Sequence, residues 1–161
     1  MKLVFDTDVV SAFTKAGHFE VLTKLFKVCI TPKVYEELLI PLKYSYDYPK
    51  EILERAELIT LTEEEQREYL RLLEDESIGK GEAESLAVCK SRGSLFTSFD
   101  KRAVQVAMSM GVGVVVVGAI FSALIEKGIA TREEVLKIAK DIEEADNRVL
   151  KITGRAHYIG E

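Results

Sequence analysis

Residues 2–10, Lys2-Leu3-Val4-Phe5-Asp6-Thr7-Asp8-Val9-Val10, pass from a short apolar run through two aspartates into apolar spacing of helical character, which continues with Ala12 and Phe13. A strand running directly into a helix opens a βα unit, and Asp6 stands at the strand's carboxyl end. Downstream the pattern repeats. Gly17 breaks the first helix, Phe19, Leu22, Leu25 and Phe26 recur at helical spacing, and Val28-Cys29-Ile30 reads as a second buried strand. Thr31 as N-cap and Pro32 at the first helical position then start a helix carrying Val34, Glu37, Leu38 and Leu39, which should fade near Pro41.

Tyr44-Ser45-Tyr46-Asp47-Tyr48-Pro49 has no clear period and reads as a surface loop. Its tyrosines could stack on unpaired bases, although packing or capping is the commoner use of such rings. Leu58 to Leu61 suggests a strand. Thr62 to Glu65 is a capping box opening a helix through Leu73, which assigns Glu63, Glu64 and Glu65 to capping and solvent. Gly79-Lys80-Gly81 precedes a helix opened by Glu82-Ala83-Glu84 and ended by Gly93. Ser94 to Thr97 is the next strand, with Ser98-Phe99-Asp100 at its carboxyl edge. A helix from Lys101 to Met110, a valine strand Val114 to Val117, and helices Ala119 to Lys127 and Thr131 to Glu144 complete the pattern; the tail from Asn147 carries no strong signal.

Alternating strands and helices imply an α/β fold: three layers, α/β/α, around a central, mainly parallel sheet of four to five strands. The 161 residues contain no repeat, low-complexity segment or Pro/Ser-rich linker, so residues 1–161 read as one domain, long enough to bury roughly 70% of its unfolded surface. With 47% hydrophobic and 30% charged residues the chain is neither disordered nor membrane-like. Its longest apolar run, Val112 to Leu124, is well short of the ~20 residues of a membrane span. The amino-terminal residues show no long apolar stretch before Asp6, and the expected compartment is the cytoplasm. Cys29 and Cys89 lack CxxC spacing and, like His18 and His157, are expected to fill core or surface.

In a parallel sheet, ligands bind outside the carboxyl ends of the strands. Asp6 and Asp100 should therefore project onto one edge. Glu82, in the first turn of the helix leading to the Asp100 strand, and Glu37, on the helix after the second strand, can lean over the same edge. Four carboxylates form an all-oxygen set suited to Mg²⁺ or Mn²⁺, hard ions that retain water and leave positions open for phosphate oxygens. Without metal such a cluster is strained, because neighbouring like charges raise one another's pKa. Metal-assisted phosphodiester hydrolysis is the chemistry this set suits. The formal charge of −5 sits awkwardly with a nucleic-acid partner unless bound cations invert the field of an acidic pocket.

These motifs resemble those of the PIN-domain family along nearly the whole chain. Phe5-Asp6-Thr7-Asp8-Val9-Val10 resembles the family's opening strand and first acid, with Asp6 in the invariant slot, Thr7 beside it and Asp8 where the family often carries Asn or Ser. Thr31 to Leu38 resembles the segment bearing the second acid, and its Val-x-x-Glu-Leu register selects Glu37 over Glu36. Gly81-Glu82-Ala83-Glu84 is similar to the Gly-Glu-x-Glu form of the third-acid helix found in archaeal and bacterial members. The eighteen-residue separation from Glu82 to Asp100 favours Glu82 as ligand, with Glu84 as neighbour or alternate. Ser98-Phe99-Asp100 resembles the fourth-acid motif, in which Ser98 helps to hold the site. The resemblance implies a metal-dependent endoribonuclease acting on RNA through Asp6, Glu37, Glu82 and Asp100, often a VapC-like toxin paired with an antitoxin protein and usually a homodimer. Two other readings compete. Asp6-Thr7-Asp8-Val9-Val10 also resembles the opening of haloacid-dehalogenase-type phosphatases, but the downstream acids fit that pattern poorly. The other is a catalytically silent module of the same fold that binds RNA or protein.

Overall fold

The computed structural model describes residues 1–150. Strand β1 (Lys2–Phe5) lies inside a parallel sheet, flanked by β2 (Lys27–Ile30) and β4 (Leu95–Thr97), with β3 (Glu57–Leu58) beyond β2, in the order β3-β2-β1-β4. Around it run α1 (Thr7–Lys15), α2 (Phe19–Leu25), α3 (Pro32–Lys43), α4 (Pro49–Arg55), α5 (Glu63–Leu72), α6 (Lys80–Arg92), α7 (Lys101–Ser109), α8 (Val117–Glu126) and α9 (Arg132–Ala145). This is the three-layer α/β/α arrangement with an all-parallel, four-stranded sheet.

The layers follow from strand periodicity. Leu3 and Phe5 enter a core cluster with Val9, Phe13, Val34, Leu38, Phe121 and Val135, whereas Val4 faces the other way into a cluster with Ala83, Leu86 and Phe96. The two-residue period of a strand sends successive side chains to opposite faces, so apolar residues at every position require helices on both. In β2, Val28 and Ile30 enter the first cluster and Cys29 the second. Both cysteines are buried, as expected, and His18 pairs with Asp141 at 2.8 Å. His157 lies outside the described residues.

The structure departs from the sequence reading where neighbours overrule local pattern. Of the valine strand only Val114 bridges Phe96, supported by Phe96 N–H to Gly113 O and Val115 N–H to Phe96 O, both 2.9 Å. The chain then turns at Val116 so that Val117, Ile120, Phe121 and Leu124 of α8 can enter the core. The strand expected over Leu58 to Leu61 is only Glu57–Leu58, though Ile59 N–H still reaches Ile30 O at 2.9 Å. Helix α4 was not anticipated: Pro49 occupies its first turn, Ile52 is buried and Arg55 pairs with Glu51. Helix α3 passes Pro41 and ends at Lys43.

Thr31 holds the N-cap position of α3 in extended conformation, yet its buried hydroxyl has no hydrogen-bond partner among the described residues. Glu84 replaces it, accepting Lys33 N–H at 2.6 Å across 51 residues of sequence. Glu65, placed with the solvated acids, is 1% exposed and held by Arg92 Nε at 2.8 Å as well as by its capping box.

Phe13 is fully buried and tilts against Phe121, with ring centroids 5.9 Å apart, joining α1 to α8. Phe13→Ala should destabilise the fold by about 3–5 kcal/mol, read as a shift of the urea midpoint.

Candidate active site

The pairing of β1 with β4 brings the first acids together. Phe5 is in register with Thr97, and Asp6 N–H extends the ladder to Thr97 O at 3.0 Å, so Asp6 and the segment Ser98–Asp100 leave the sheet side by side. Each aspartate then starts a helix. Asp6 caps α1, its Oδ1 accepting Thr7 N–H at 2.8 Å, and Asp100 caps α7, its Oδ1 accepting Arg102 N–H at 2.8 Å. Capping holds one oxygen of each carboxylate and leaves the other to face the neighbouring acids.

Ser98 links them. Its hydroxyl lies 2.8 Å from Asp6 Oδ2 and 3.5 Å from Asp8 Oδ2, and its oxygen accepts Asp100 N–H at 3.0 Å. Asp8 Oδ2 also accepts Phe99 N–H at 3.1 Å, whereas buried Asp8 Oδ1 has no hydrogen-bond partner among the described residues. Glu82 approaches from the first turn of α6, with Oε1 accepting Gly79 N–H at 2.8 Å, and interacts electrostatically with both Asp6 and Asp100. Glu37 stands at the exposed rim, where Oε1 accepts the Thr7 hydroxyl at 2.8 Å. It sits close over Gly81: a Cβ there would collide with Glu37 Oε1. Glu36 instead pairs with Lys33 on the surface, and Glu84 is engaged in capping α3. Tyr44 and Tyr46 are exposed and, with Tyr48, Lys15 and Ile40, line a separate groove of about 740 Å³.

The electrostatics are those of an acid cluster short of positive charge. Burial, then the charges of Asp8 and Glu82, push the Asp6 carboxyl up to about 8. Burial likewise raises Asp8 and Glu82, the latter also through its contact with Asp100. Among the described residues no three such side chains already converge as a ready-made ligand set. The donors nonetheless fit a hard divalent cation: all are carboxylate oxygens, the buried Asp8 Oδ1 beside them is without a partner among the described residues, and the strained charge is of the sign a cation relieves.

A family model described as a PIN domain matches residues 2–153. No curated protein matches the chain.

Folded Asp6 keeps its proton to about pH 8, whereas an unfolded aspartate loses it near 3.8, so the folded state holds more protons between those values. Stability of metal-free protein should therefore fall as pH rises through that window. Asp6→Asn, which keeps a good N-cap, should melt above wild type at pH 8 in EDTA and approach it at pH 4. Gly81→Ala should fold normally, because the atom it displaces ends a flexible side chain, yet weaken Mn²⁺ binding by about 10-fold or more in a calorimetric titration.

Proposed function

The chain belongs to the PIN-domain family, and from that premise we propose that it is a metal-dependent endoribonuclease hydrolysing RNA phosphodiester bonds. PIN domains are generally nucleases that use divalent metal ions, and PIN nucleases act on RNA. The observation that supports the reading is that Glu82, from the first turn of α6, interacts with both Asp6 and Asp100, which leave the sheet side by side where β1 and β4 stop.

Asp6, Glu82, Asp100 and Glu37 would hold Mg²⁺ or Mn²⁺, which when bound supplies an activated water and neutralises charge on the phosphate. The chain's own part is positional. Ser98 orients Asp6 and fixes the start of α7 through Asp100 N–H, so the first and fourth acids move as one unit. Thr7 aims Glu37 across the mouth of the site. Gly81 lets Glu37 come close to α6, which supports Glu37 over Glu36 as the second acid. Asp8, half-buried, adds negative charge that acts on Asp6 and braces the Phe99 backbone. A toxin role with an antitoxin protein, and a homodimer, are the finer assignments that the family resemblance supports. Among the described residues no helix is long and apolar enough to cross a membrane.

Incubation with a mixed pool of single-stranded and structured RNA tests the activity. Wild type should cut with Mg²⁺ or Mn²⁺ and stop in EDTA, while Asp6→Asn and Asp100→Asn stay folded and inactive. Glu37→Gln should lose cleavage and Glu36→Gln retain it. A well-folded wild type that cuts nothing with either metal would overturn the reading in favour of a silent RNA- or protein-binding module.

A further inference from the structure

Helix α9 ends in a manner that carries a cation to Phe99, between Ser98 and Asp100, and into the field of Asp8. Asp146 follows its last turn, Asn147 takes a left-handed φ of 48°, and Arg148 N–H reaches back to Glu143 O at 3.1 Å. This six-to-one bond with a left-handed residue inside it is a helix-ending turn, and asparagine is second only to glycine in tolerating that conformation. Leu150 secures the reversal: its N–H meets the Glu143 carboxylate at 2.8 Å and its side chain is buried.

The reversed chain lays the Arg148 guanidinium over the Phe99 ring, 3.9 Å from its centroid, and Phe99 is the residue between Ser98 and Asp100. The positive charge acts on Asp8, the same carboxylate that accepts Phe99 N–H. Arg148 Nε donates to Asp146 at 2.9 Å, and Asp146 also pairs with Lys15 at 2.8 Å. One carboxylate shared by two cations leaves that group net positive. Among the described residues the terminal guanidinium nitrogens take no hydrogen bond, and a third of the side chain is exposed.

We propose that Arg148 is a substrate contact, its terminal N–H groups binding a non-bridging oxygen of the RNA phosphodiester as it sits over the carboxylates. The proposal rests on the nuclease reading. An arginine stacked by one face and tethered through Nε presents its remaining donors as a fixed edge, the arrangement in which guanidinium binds phosphate in bidentate fashion. The placement also answers an electrostatic need. An acidic site on a chain of net charge −5 must still receive a polyanion, and a preorganised cation beside the cluster supplies attraction where charge builds up during cleavage.

Steady-state cleavage of a short single-stranded RNA with Mn²⁺ tests this in wild type, Arg148→Ala, Arg148→Gln and Arg148→Lys. Gln keeps a donor for Asp146 without the charge, and so serves if the alanine variant folds poorly. Loss of the charge should lower kcat/KM by about 10²-fold and reduce the slope of log affinity against log salt by about 0.7. Thermal stability and Mn²⁺ affinity should stay near wild type. Lysine should restore the salt slope but not the rate. Unchanged kcat/KM in both uncharged variants would overturn the proposal, as would a loss matched by an equal loss of Mn²⁺ affinity, which would mean that Arg148 only positions Asp8. Wild type that cuts no RNA overturns the nuclease reading and this proposal together, whereas cutting that Arg148→Gln leaves intact overturns the proposal alone.

Discussion

The parallel pairing of β1 with β4 is the constraint on which the rest of the site depends. With Phe5 opposite Thr97 and Asp6 N–H bonded to Thr97 O, the two strands end at the same level. A slip of one residue would turn Val4 and Phe96 out of their core and separate Asp6 from Ser98. The apolar alternation that fills two cores thus also aligns the acids. Burial of Leu3, Phe5, Val4 and Phe96 is the force that brings together carboxylates which repel one another.

That repulsion is a cost the fold carries for its site. Asp6 is 6% exposed and keeps its proton far above the usual carboxylate range because burial and two neighbouring acids all disfavour its charge. A protein selected for stability alone would place an apolar or amide residue there. The helix starts reduce the cost: Asp6 and Asp100 are N-caps and Glu82 lies in a first turn, where backbone N–H groups and the helix dipole favour negative charge. The same caps fix side-chain orientation, so three helices, α1, α6 and α7, each aim one acid at a common region.

Glycine contributes where a side chain could not. Gly81 lets Glu37 lie against α6, and the Thr7 hydroxyl then ties Glu37 to the start of α1. Glu84, two residues after Glu82, works in the opposite direction, caps α3 and holds the helix carrying Glu37 at its distance from α6. Two glutamates on one helix thus take different tasks because a helix turns about 100° per residue and sends them to different faces.

The sequence by itself determined what local chemistry controls. Short continuous apolar runs marked β1, β2 and β4, capping residues marked the starts of α5 and α9, and the place of Asp6 and Asp100 at strand ends pointed to one edge of a parallel sheet. Element α4 was missed because its apolar face, Ile52 with half-buried Leu53, is too short to show a period. The valine run looked like a strand because β-branched residues favour strands wherever a neighbour is present, but only Phe96 offers one and the core draws Val117 into a helix. Tertiary structure alone decided that Glu84 rather than Thr31 caps α3, that Glu65 is buried against Arg92, and that the end of α9 turns Arg148 back onto Phe99. Each of these is a side chain reaching an element 27 or more residues away in sequence. No local propensity encodes such a distance; only the packed cores set it.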